Sequence, residues 1–335
     1  MLRRSGNALI HGVRDQARDL KRRSVRYRPG LRPHLAIFGI RRGGSTLLAD
    51  MVAAEPGMWF VDEPFGTFAP DQPFYGEIHA ELPEKLHNQF FDMTPEESRA
   101  VHSFVSRTLS LDLRIGTVRR ARWPLVADRT ALKLLNTPML IDWLVGEFGL
   151  RGIILTRHPG AQARSVLRLG WGFSAEAYFA SDAFVEAHFN VDQARAGREI
   201  LAGQDPWPKA IFNWVIESWI PLREASFEIP RLSYEELVVQ RGPIVRDLFR
   251  YFELDEVDHA LALLDRPSGS STFSTSLAKQ AITAGDTRNI VGRWCAQTSD
   301  EEMVRAQEIL DLFGVDLYAM DDPMPKRALY TLATA

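Results

Sequence analysis

The residues best suited to chemistry form a short glycine-rich segment, residues 39–46, with the sequence GIRRGGST. It combines two arginines, two adjacent glycines and two small hydroxyl residues: Arg41, Arg42, Gly43, Gly44, Ser45 and Thr46. Glycine permits positive φ angles and close approach of the backbone, so successive N–H groups can face an anion. A helix beginning at this point would add the positive end of its dipole. The segment is therefore predicted to be a phosphate-binding loop.

The spacing matches the nucleotide P-loop pattern G-x-x-x-x-G-K-[ST], except that Ser45 stands where that pattern has lysine. The P-loop lysine reaches the β- and γ-phosphates of a nucleoside triphosphate, so its replacement argues against ATP or GTP turnover. An atypical P-loop kinase remains an alternative, with residues 125–128 (LVAD) as a weak Walker B resemblance. A noncatalytic nucleotide-binding protein is a second alternative.

A second anion site is predicted around Arg157, which follows the apolar run 152–156 (GIILT). Ser165 lies eight residues further on, within a helix expected to begin at Pro159 and to run through Leu169. Open α/β sheets bind ligands at the carboxyl ends of their strands, where both side chains would lie. The planar guanidinium group suits phosphate because it donates two parallel hydrogen bonds.

Glu63 is the candidate general base, because it directly follows a predicted strand over 58–62. Asp62 is a weaker candidate, since side-chain alternation should turn it to the other face of the sheet. Imidazole has a suitable pKa, so four histidines are rival bases, although each is expected on the surface or in the core: His79, His87, His102 and His158. Lys133, within the apolar run 131–135, is expected to be partly buried and is a candidate contact for either substrate.

These motifs together resemble the PAPS-dependent sulfotransferases, particularly their carbohydrate and bacterial branch (PAPS is 3′-phosphoadenosine 5′-phosphosulfate). Residues 42–48 (RGGSTLL) resemble the family's 5′-phosphosulfate loop, with Gly43 in place of a usual serine. The resemblance implies that Arg42, Gly44, Ser45 and Thr46 hold the 5′-phosphosulfate.

Other segments extend the likeness over about residues 34–318. Arg157-His158-Pro159 with Ser165 resembles the Arg-Asp-Pro motif and later serine that hold the donor's 3′-phosphate, with His158 replacing aspartate. Glu63-Pro64 resembles the segment with the catalytic glutamate, and residues 234–237 (YEEL) resemble a structural Tyr-Glu-Asp-Leu segment. Arg288, Arg293 and Trp294 loosely resemble a C-terminal region that folds over the donor.

The function implied by the resemblance is in-line transfer of a sulfuryl group from PAPS to an acceptor hydroxyl or amine, without a metal. Arg42 and Glu63 would be the catalytic residues, and a carbohydrate is the favoured acceptor. A lipid, a peptide tyrosine or a small metabolite stays open, and the oligomeric state is not predicted.

The chain around these motifs alternates strands and helices, which predicts an α/β fold: a P-loop-like parallel sheet flanked by helices on both faces. Strands are predicted at 34–39, 58–61, 152–156 and 228–232, with another at either 125–127 or 132–135. We expect a basic arm over 1–33, a single domain over 34–320 and a tail over 321–335. A segment rich in proline and aromatic residues, about 66–125, is expected as an insertion that shapes the acceptor site.

Composition and charge restrict the remaining possibilities. The chain has 335 residues, 45% of them apolar and 25% charged, which is typical of globular proteins and excludes disordered and fibrous classes. One cysteine cannot form an internal disulfide, so a cytoplasmic location is expected. The net charge is −3, but residues 1–34 hold ten Lys or Arg against two Asp. We expect a flexible or packed helix with one solvated face there; contact with a membrane surface is an alternative, and no nucleic-acid partner is expected.

Overall fold

The computed structural model describes residues 23–66, 82, 93–114, 124–135, 137–226, 228–266 and 276–330. The predicted helix of the basic arm, the aromatic residues 68, 74, 75, 90 and 91 of the insertion and most of the serine-rich segment 268–276 lie outside these ranges.

The centre of the fold is a five-stranded sheet in which every pairing is parallel, in the order β3-β5-β2-β6-β7. Its strands are β2 (Leu35–Gly39), β3 (Met58–Asp62), β5 (Arg129–Leu134), β6 (Arg151–Thr156) and β7 (Arg231–Ser233). Two short strands, β1 (Arg26–Tyr27) and β4 (Val126–Ala127), form a separate parallel pair. The register sets Gly39 opposite Leu155 and Asp62 opposite Lys133. The carboxyl ends of these strands, which carry the predicted site residues, therefore lie along one edge of the sheet.

The helices connect and cover these strands. In chain order they are α1 (Ser45–Val52), α2 (Pro95–Leu109), α3 (Ile141–Phe148), α4 (Pro159–Arg168), α5 (Ala175–Phe179), α6 (Asp182–His188), α7 (Val191–Ala202), α8 (Pro206–Trp214), α9 (Ile220–Glu224), α10 (Tyr234–Val239), α11 (Arg241–Phe252), α12 (Val257–Leu263), α13 (Ser276–Thr283), α14 (Thr287–Gly292) and α15 (Asp300–Leu312). A π-helical turn, Val215–Trp219, joins α8 to α9, and 3-10 turns lie at Pro138–Leu140 and Cys295–Gln297.

Alternation along the strands divides the core into two layers. Phe38 and Ile154 face the larger layer, to which α2, α3, α4, α8 and α15 contribute. Ile37 and Leu155 face the smaller layer, to which α1, α11 and α12 contribute. Both faces of the sheet are covered, and β2 and β6 are accordingly rich in apolar residues, as is typical of parallel sheets.

The predicted fold class is confirmed: the sheet is parallel and helices cover both of its faces. Both alternatives for the undecided strand occur, because residues 126–127 pair with β1 while Arg129–Leu134 joins the main sheet. Within the predicted insertion, α2 begins with a capping box between Thr94 and Glu97 and packs into the core through Val101 and Phe104.

Residues at both ends of the domain pack onto it. Val25, in the predicted basic arm, is buried in the larger layer. In the predicted tail, the backbone N–H groups of Leu329 and Tyr330 donate to the carboxylate of Glu236, at 2.8 and 3.2 Å.

Candidate functional site

The glycine-rich segment forms a tight loop between the end of β2 and the start of α1. The Gly43 N–H donates to the Ile40 carbonyl at 3.0 Å, which closes a turn. Arg42 and Gly44 both have positive φ angles, 66° and 93°, so the backbone changes direction at each of them. Ser45 and Thr46 lie in the first turn of α1, where N–H groups have no intrahelical acceptor. Such a loop can surround an anion with backbone donors.

Gly44 is required by both conformation and space. An L-residue rarely adopts its φ of 93°, and a Cβ atom at this position would lie 2.3 Å from Cδ2 of Tyr234. The Tyr234 ring thus packs directly against the loop. The same ring lies 4.8 Å from the guanidinium carbon of Arg157, in cation–π contact.

The structure brings the two predicted anion sites together. Nε of Arg42 donates to the Ser165 hydroxyl at 2.8 Å, and Nη1 of Arg157 donates to the Arg42 carbonyl at 3.2 Å. Arg41 turns the other way, and its Nη2 donates to the Gly172 carbonyl at 2.7 Å. Residues far apart in the chain therefore form one contiguous site at the carboxyl edge of β2 and β6.

This site is strongly electropositive. Burial, together with the positive charges of Arg157 and Arg168, lowers the pKa of Arg42 to about 10. Burial, with Arg168 and Arg157 nearby, also lowers the pKa of Arg293. Over the ranges that the structure describes, no carboxylate lies within ion-pair distance of Arg42 or Arg157. We name the group Arg42, Arg157, Arg168 and Arg293 the arginine cluster.

A buried nitrogen of Arg157, Nε, has no hydrogen-bond acceptor among the described residues. An unpaired buried donor on a charged group is costly, and an anion entering the site would supply the missing acceptor. The residues present therefore fit a phosphate or phosphosulfate group.

A second polar cluster lies at the same edge, at the ends of β3 and β5. Nζ of Lys133 donates to Oδ1 of Asp62 at 2.9 Å and to Oε1 of Glu63 at 2.7 Å. The Lys133 side chain is only 3% exposed. Burial by itself would lower the pKa of Lys133, but the charges of Glu63 and Asp62 outweigh it, so the pKa is raised. We name these three residues the carboxylate cluster.

The expectation that Asp62 faces away from Glu63 is wrong, because both carboxylates bind the same ammonium group. Alternation ends where the strand ends: Glu63 has a φ of 52°, outside the strand conformation, which returns its side chain to the side of Asp62. The exposed fraction still distinguishes the two, at 19% for Glu63 and 8% for Asp62. Glu63 is thus the carboxylate more open to a substrate.

The histidines within the described ranges are not placed to act as bases. His158 is fully buried and stacks on Trp294, with ring centroids 4.2 Å apart. Its Nδ1 accepts from the Gly160 N–H and its Nε2 donates to the Ala319 carbonyl, while burial lowers its pKa to about 3. His102 lies on α2 with its side chain exposed, and its Nε2 pairs with Oε1 of Glu147 in α3 at 3.2 Å. His79 and His87 lie outside the described residues.

Two contacts of the site were not predicted from the sequence. Tyr234 was expected to be only structural, yet it lies between Gly44 and Arg157. Arg168 was not singled out, although it follows Ser165 by three residues and so shares its face of α4. Of the C-terminal candidates, Arg293 lies near Arg157 and Arg168, whereas Arg288 is exposed.

Asp128, the aspartate of the weak Walker B resemblance, lies at the opposite edge of the sheet, where the amino ends of the strands lie. Asp128 precedes β5, and its N–H donates to the carbonyl of Gly57, which precedes β3. A metal-binding aspartate of a P-loop enzyme would have to reach the loop after β2, so Asp128 is misplaced for that role.

Over the same described ranges, no group of three or more His, Cys, Asp or Glu side chains is arranged to hold a metal ion. A search of these residues for a helix with the length and apolar character of a membrane span also finds none.

No protein-family model matches the chain, and no curated protein matches it. Among solved structures, it resembles the sulfotransferase domain of a Synechococcus olefin synthase, with 17% identity, coverage of 87% of this chain and 98% of that one, and a TM-score of 0.40. It also resembles a sulfotransferase from Mycobacterium avium, with 14% identity, coverage of 81% and 78%, and a TM-score of 0.35. At these values the likeness says nothing about the reaction, so a function has to rest on the residues of the site.

Proposed function

We propose that this chain is a PAPS-dependent sulfotransferase, which moves a sulfuryl group to a hydroxyl or amine of an acceptor. The observation that carries the proposal is the junction of the loop with Arg157 and Ser165, a cationic site in which no described carboxylate forms an ion pair with Arg42 or Arg157. PAPS carries phosphate groups at both its 5′ and its 3′ position. A loop of backbone donors beside several guanidinium groups suits such a doubly anionic ligand.

The residues divide between the two ends of the donor. Arg41, Arg42, Gly43, Gly44, Ser45 and Thr46 form the loop that would hold the phosphosulfate. Arg157 and Ser165 would hold the 3′-phosphate, and Arg293 would complete that end from the C-terminal region. When bound, PAPS supplies the sulfuryl group. The N–H groups of the loop and the guanidinium group of Arg42 would stabilise the negative charge on the oxygens of PAPS.

Removal of the acceptor proton is assigned to Glu63. Its carboxylate is partly exposed at the same sheet edge, and the ammonium of Lys133 holds it in place. Lys133 neutralises one of the two carboxylates, so the cluster keeps a net negative charge that can receive a proton. Positioned bases of this kind contribute about 10²- to 10⁴-fold in rate.

A P-loop kinase is less well supported. Ser45 replaces the loop lysine, and Asp128 lies at the wrong edge of the sheet for a metal ligand. A noncatalytic nucleotide-binding protein would use the same arginine cluster but would have no need of Glu63.

Calorimetric titration distinguishes these proposals. 3′-Phosphoadenosine 5′-phosphate should bind well, and adenosine 5′-phosphate should bind more weakly because it lacks the 3′-phosphate. Tighter binding of ATP in the presence of magnesium, with indifference to the 3′-phosphate, would support the kinase instead.

The acceptor requires its own experiment. The enzyme is incubated with labelled PAPS and separate pools of carbohydrates, lipids, tyrosine peptides and small metabolites, and mass spectrometry identifies any product that has gained a sulfate. We favour a carbohydrate hydroxyl. If the nucleotide binds but no pool is sulfated, the noncatalytic alternative gains support.

A further inference from the structure

The π-helical turn Val215–Trp219 is unusual because it is buried and contains a carboxylate. All five of its residues are buried, and Glu217 is only 7% exposed. π-helical turns are rare in proteins and occur frequently at functional sites. A buried carboxylate is costly unless hydrogen bonds satisfy it. The hydrogen-bond partners of Glu217 therefore indicate the role of this turn.

Glu217 binds two uncharged groups. The Ser174 hydroxyl donates to Oε1, and Nδ2 of Asn213 donates to Oε2 at 2.9 Å. Oδ1 of Asn213 accepts in turn from the backbone N–H groups of Ser174 and Ala175, at 2.9 and 3.0 Å. No Lys, Arg or His among the described residues forms an ion pair with Glu217. Asn213 and Glu217 together fix the position of Ser174.

Ser174 ends the connecting segment, residues 169–174, which leads from α4 to α5. Within this segment the Gly172 carbonyl accepts from Nη2 of Arg41 at 2.7 Å. The ring centroid of Trp171 lies 6.0 Å from the guanidinium carbon of Arg42. The segment is thus fixed by the π-helical turn at one end and meets both loop arginines along its length.

The same helical region also supports Arg157. Nε1 of Trp214 donates to the Arg157 carbonyl at 2.8 Å, and the Ser218 and Thr156 hydroxyl groups lie 3.2 Å apart. Both halves of the site consequently rest on the residues around the π-helical turn.

We infer that Asn213 and Glu217 are positioning residues, which orient Arg41 through Ser174 and the Gly172 carbonyl and so set the affinity of the loop for its anionic ligand. The inference rests on the proposed function.

A double-mutant cycle tests the inference, with the Kd of 3′-phosphoadenosine 5′-phosphate as the measurement. Glu217→Ala should weaken binding about 5- to 10-fold in the wild-type background, in the range of coupled neighbours. In an Arg41→Ala background most of this effect should disappear, leaving less than about 2-fold. Equal losses in both backgrounds would show a general structural role and overturn the inference.

Further variants guard against misfolding. Ser174→Ala removes one hydroxyl from the partly exposed connecting segment and should reproduce most of the Glu217→Ala effect on Kd. Glu224→Gln is the matched control, because that glutamate pairs with His188 and Arg223 and is not connected to Ser174. It should leave Kd unchanged.

Failure of the proposed function has a different signature. If no adenine nucleotide binds the wild-type protein, the proposed function fails, and hydrogen–deuterium exchange still tests the positioning. Glu217→Ala should then increase amide exchange in residues 171–174 and 40–44 relative to Glu224→Gln. Unchanged exchange in both segments would refute the positioning role.

Discussion

The arginine cluster and the carboxylate cluster lie at the same edge of the sheet but balance charge in opposite ways. Lys133 is held between two carboxylates at the ends of β3 and β5, so opposite charges meet within the protein. At the ends of β2 and β6, Arg42 and Arg157 lie close together, and neither forms an ion pair with a carboxylate among the described residues; Glu235 interacts with Arg157 only at longer range. Positive charge without a paired carboxylate is suited to an anion from outside, whereas the ion pairs of the carboxylate cluster are suited to holding the Glu63 side chain in one orientation. We therefore expect substitutions in the arginine cluster to change nucleotide binding and substitutions in the carboxylate cluster to change turnover.

The largest expected effect is that of Glu63→Gln on turnover. It keeps the shape of the side chain but removes the base, so kcat should fall about 10²- to 10⁴-fold. The Kd of 3′-phosphoadenosine 5′-phosphate should change by less than about 2-fold, since Glu63 does not belong to the arginine cluster. Steady-state kinetics and calorimetry measure the two quantities. Asp62→Asn, at the less exposed carboxylate on the same lysine, is the control and should lower kcat far less. Wild-type turnover in Glu63→Gln would return the base role to another residue.

Arg157→Ala should have the converse effect. Hydrogen bonds to charged groups contribute about 1.5 to 3 kcal/mol each, so nucleotide affinity should fall about 10- to 100-fold. The loss should be larger for the nucleotide with a 3′-phosphate than for adenosine 5′-phosphate. Arg151→Ala, at the amino end of the same strand, is the control, because that arginine binds Tyr251 and Glu253 away from the loop. An unchanged preference for the 3′-phosphate would contradict the assignment of Arg157.

Gly44→Ala should disturb the arginine cluster through Tyr234, whose ring packs against Gly44 and Arg157. The new Cβ would meet the Tyr234 ring and force a positive φ on alanine, at a cost of about 1 to 3 kcal/mol. Nucleotide affinity should fall by about 10-fold or more. Gly43→Ala is the control: its φ is not positive, and its Cβ would lie 3.0 Å from the Ile40 carbonyl oxygen, a milder contact. Equal effects of the two substitutions would show that Tyr234 does not constrain the loop.

At neutral pH the smallest effect on binding and turnover is expected from His158, whose role lies in acid stability. His158 has a pKa of about 3 in the folded protein, against an ordinary value near 6.5, so the unfolded chain binds its proton first. The free energy of unfolding should therefore fall as the pH drops from about 6.5 toward 3, by at most about 1.4 kcal/mol per pH unit from this residue. His158→Gln should show a shallower slope in denaturant titrations across this range. Identical slopes would mean that His158 titrates normally in the folded protein.

Much of this arrangement could be predicted from the sequence because it depends on local patterns. The run 34–39 followed by glycines predicted the end of β2 and the loop, and the alternation of strands and helices predicted a parallel sheet. Arg157 could be named because it directly follows β6, and Ser165 because it lies on α4, the helix that comes next. The prediction that Asp62 and Glu63 face opposite sides of the sheet was wrong, because strand periodicity does not tell at which residue a strand ends.

The sequence by itself determined the order of strands and helices, the composition of the loop and the identity of the charged residues at the strand ends. The tertiary structure decided which of these residues meet: Arg42 with Ser165, Lys133 with both carboxylates, and Tyr234 with Gly44 and Arg157. Hydrogen bonding within a helix or strand is local, so it leaves a signal in neighbouring residues. The order of strands in the sheet places residues together that are up to about two hundred positions apart, and a single sequence holds no periodic signal of that pairing.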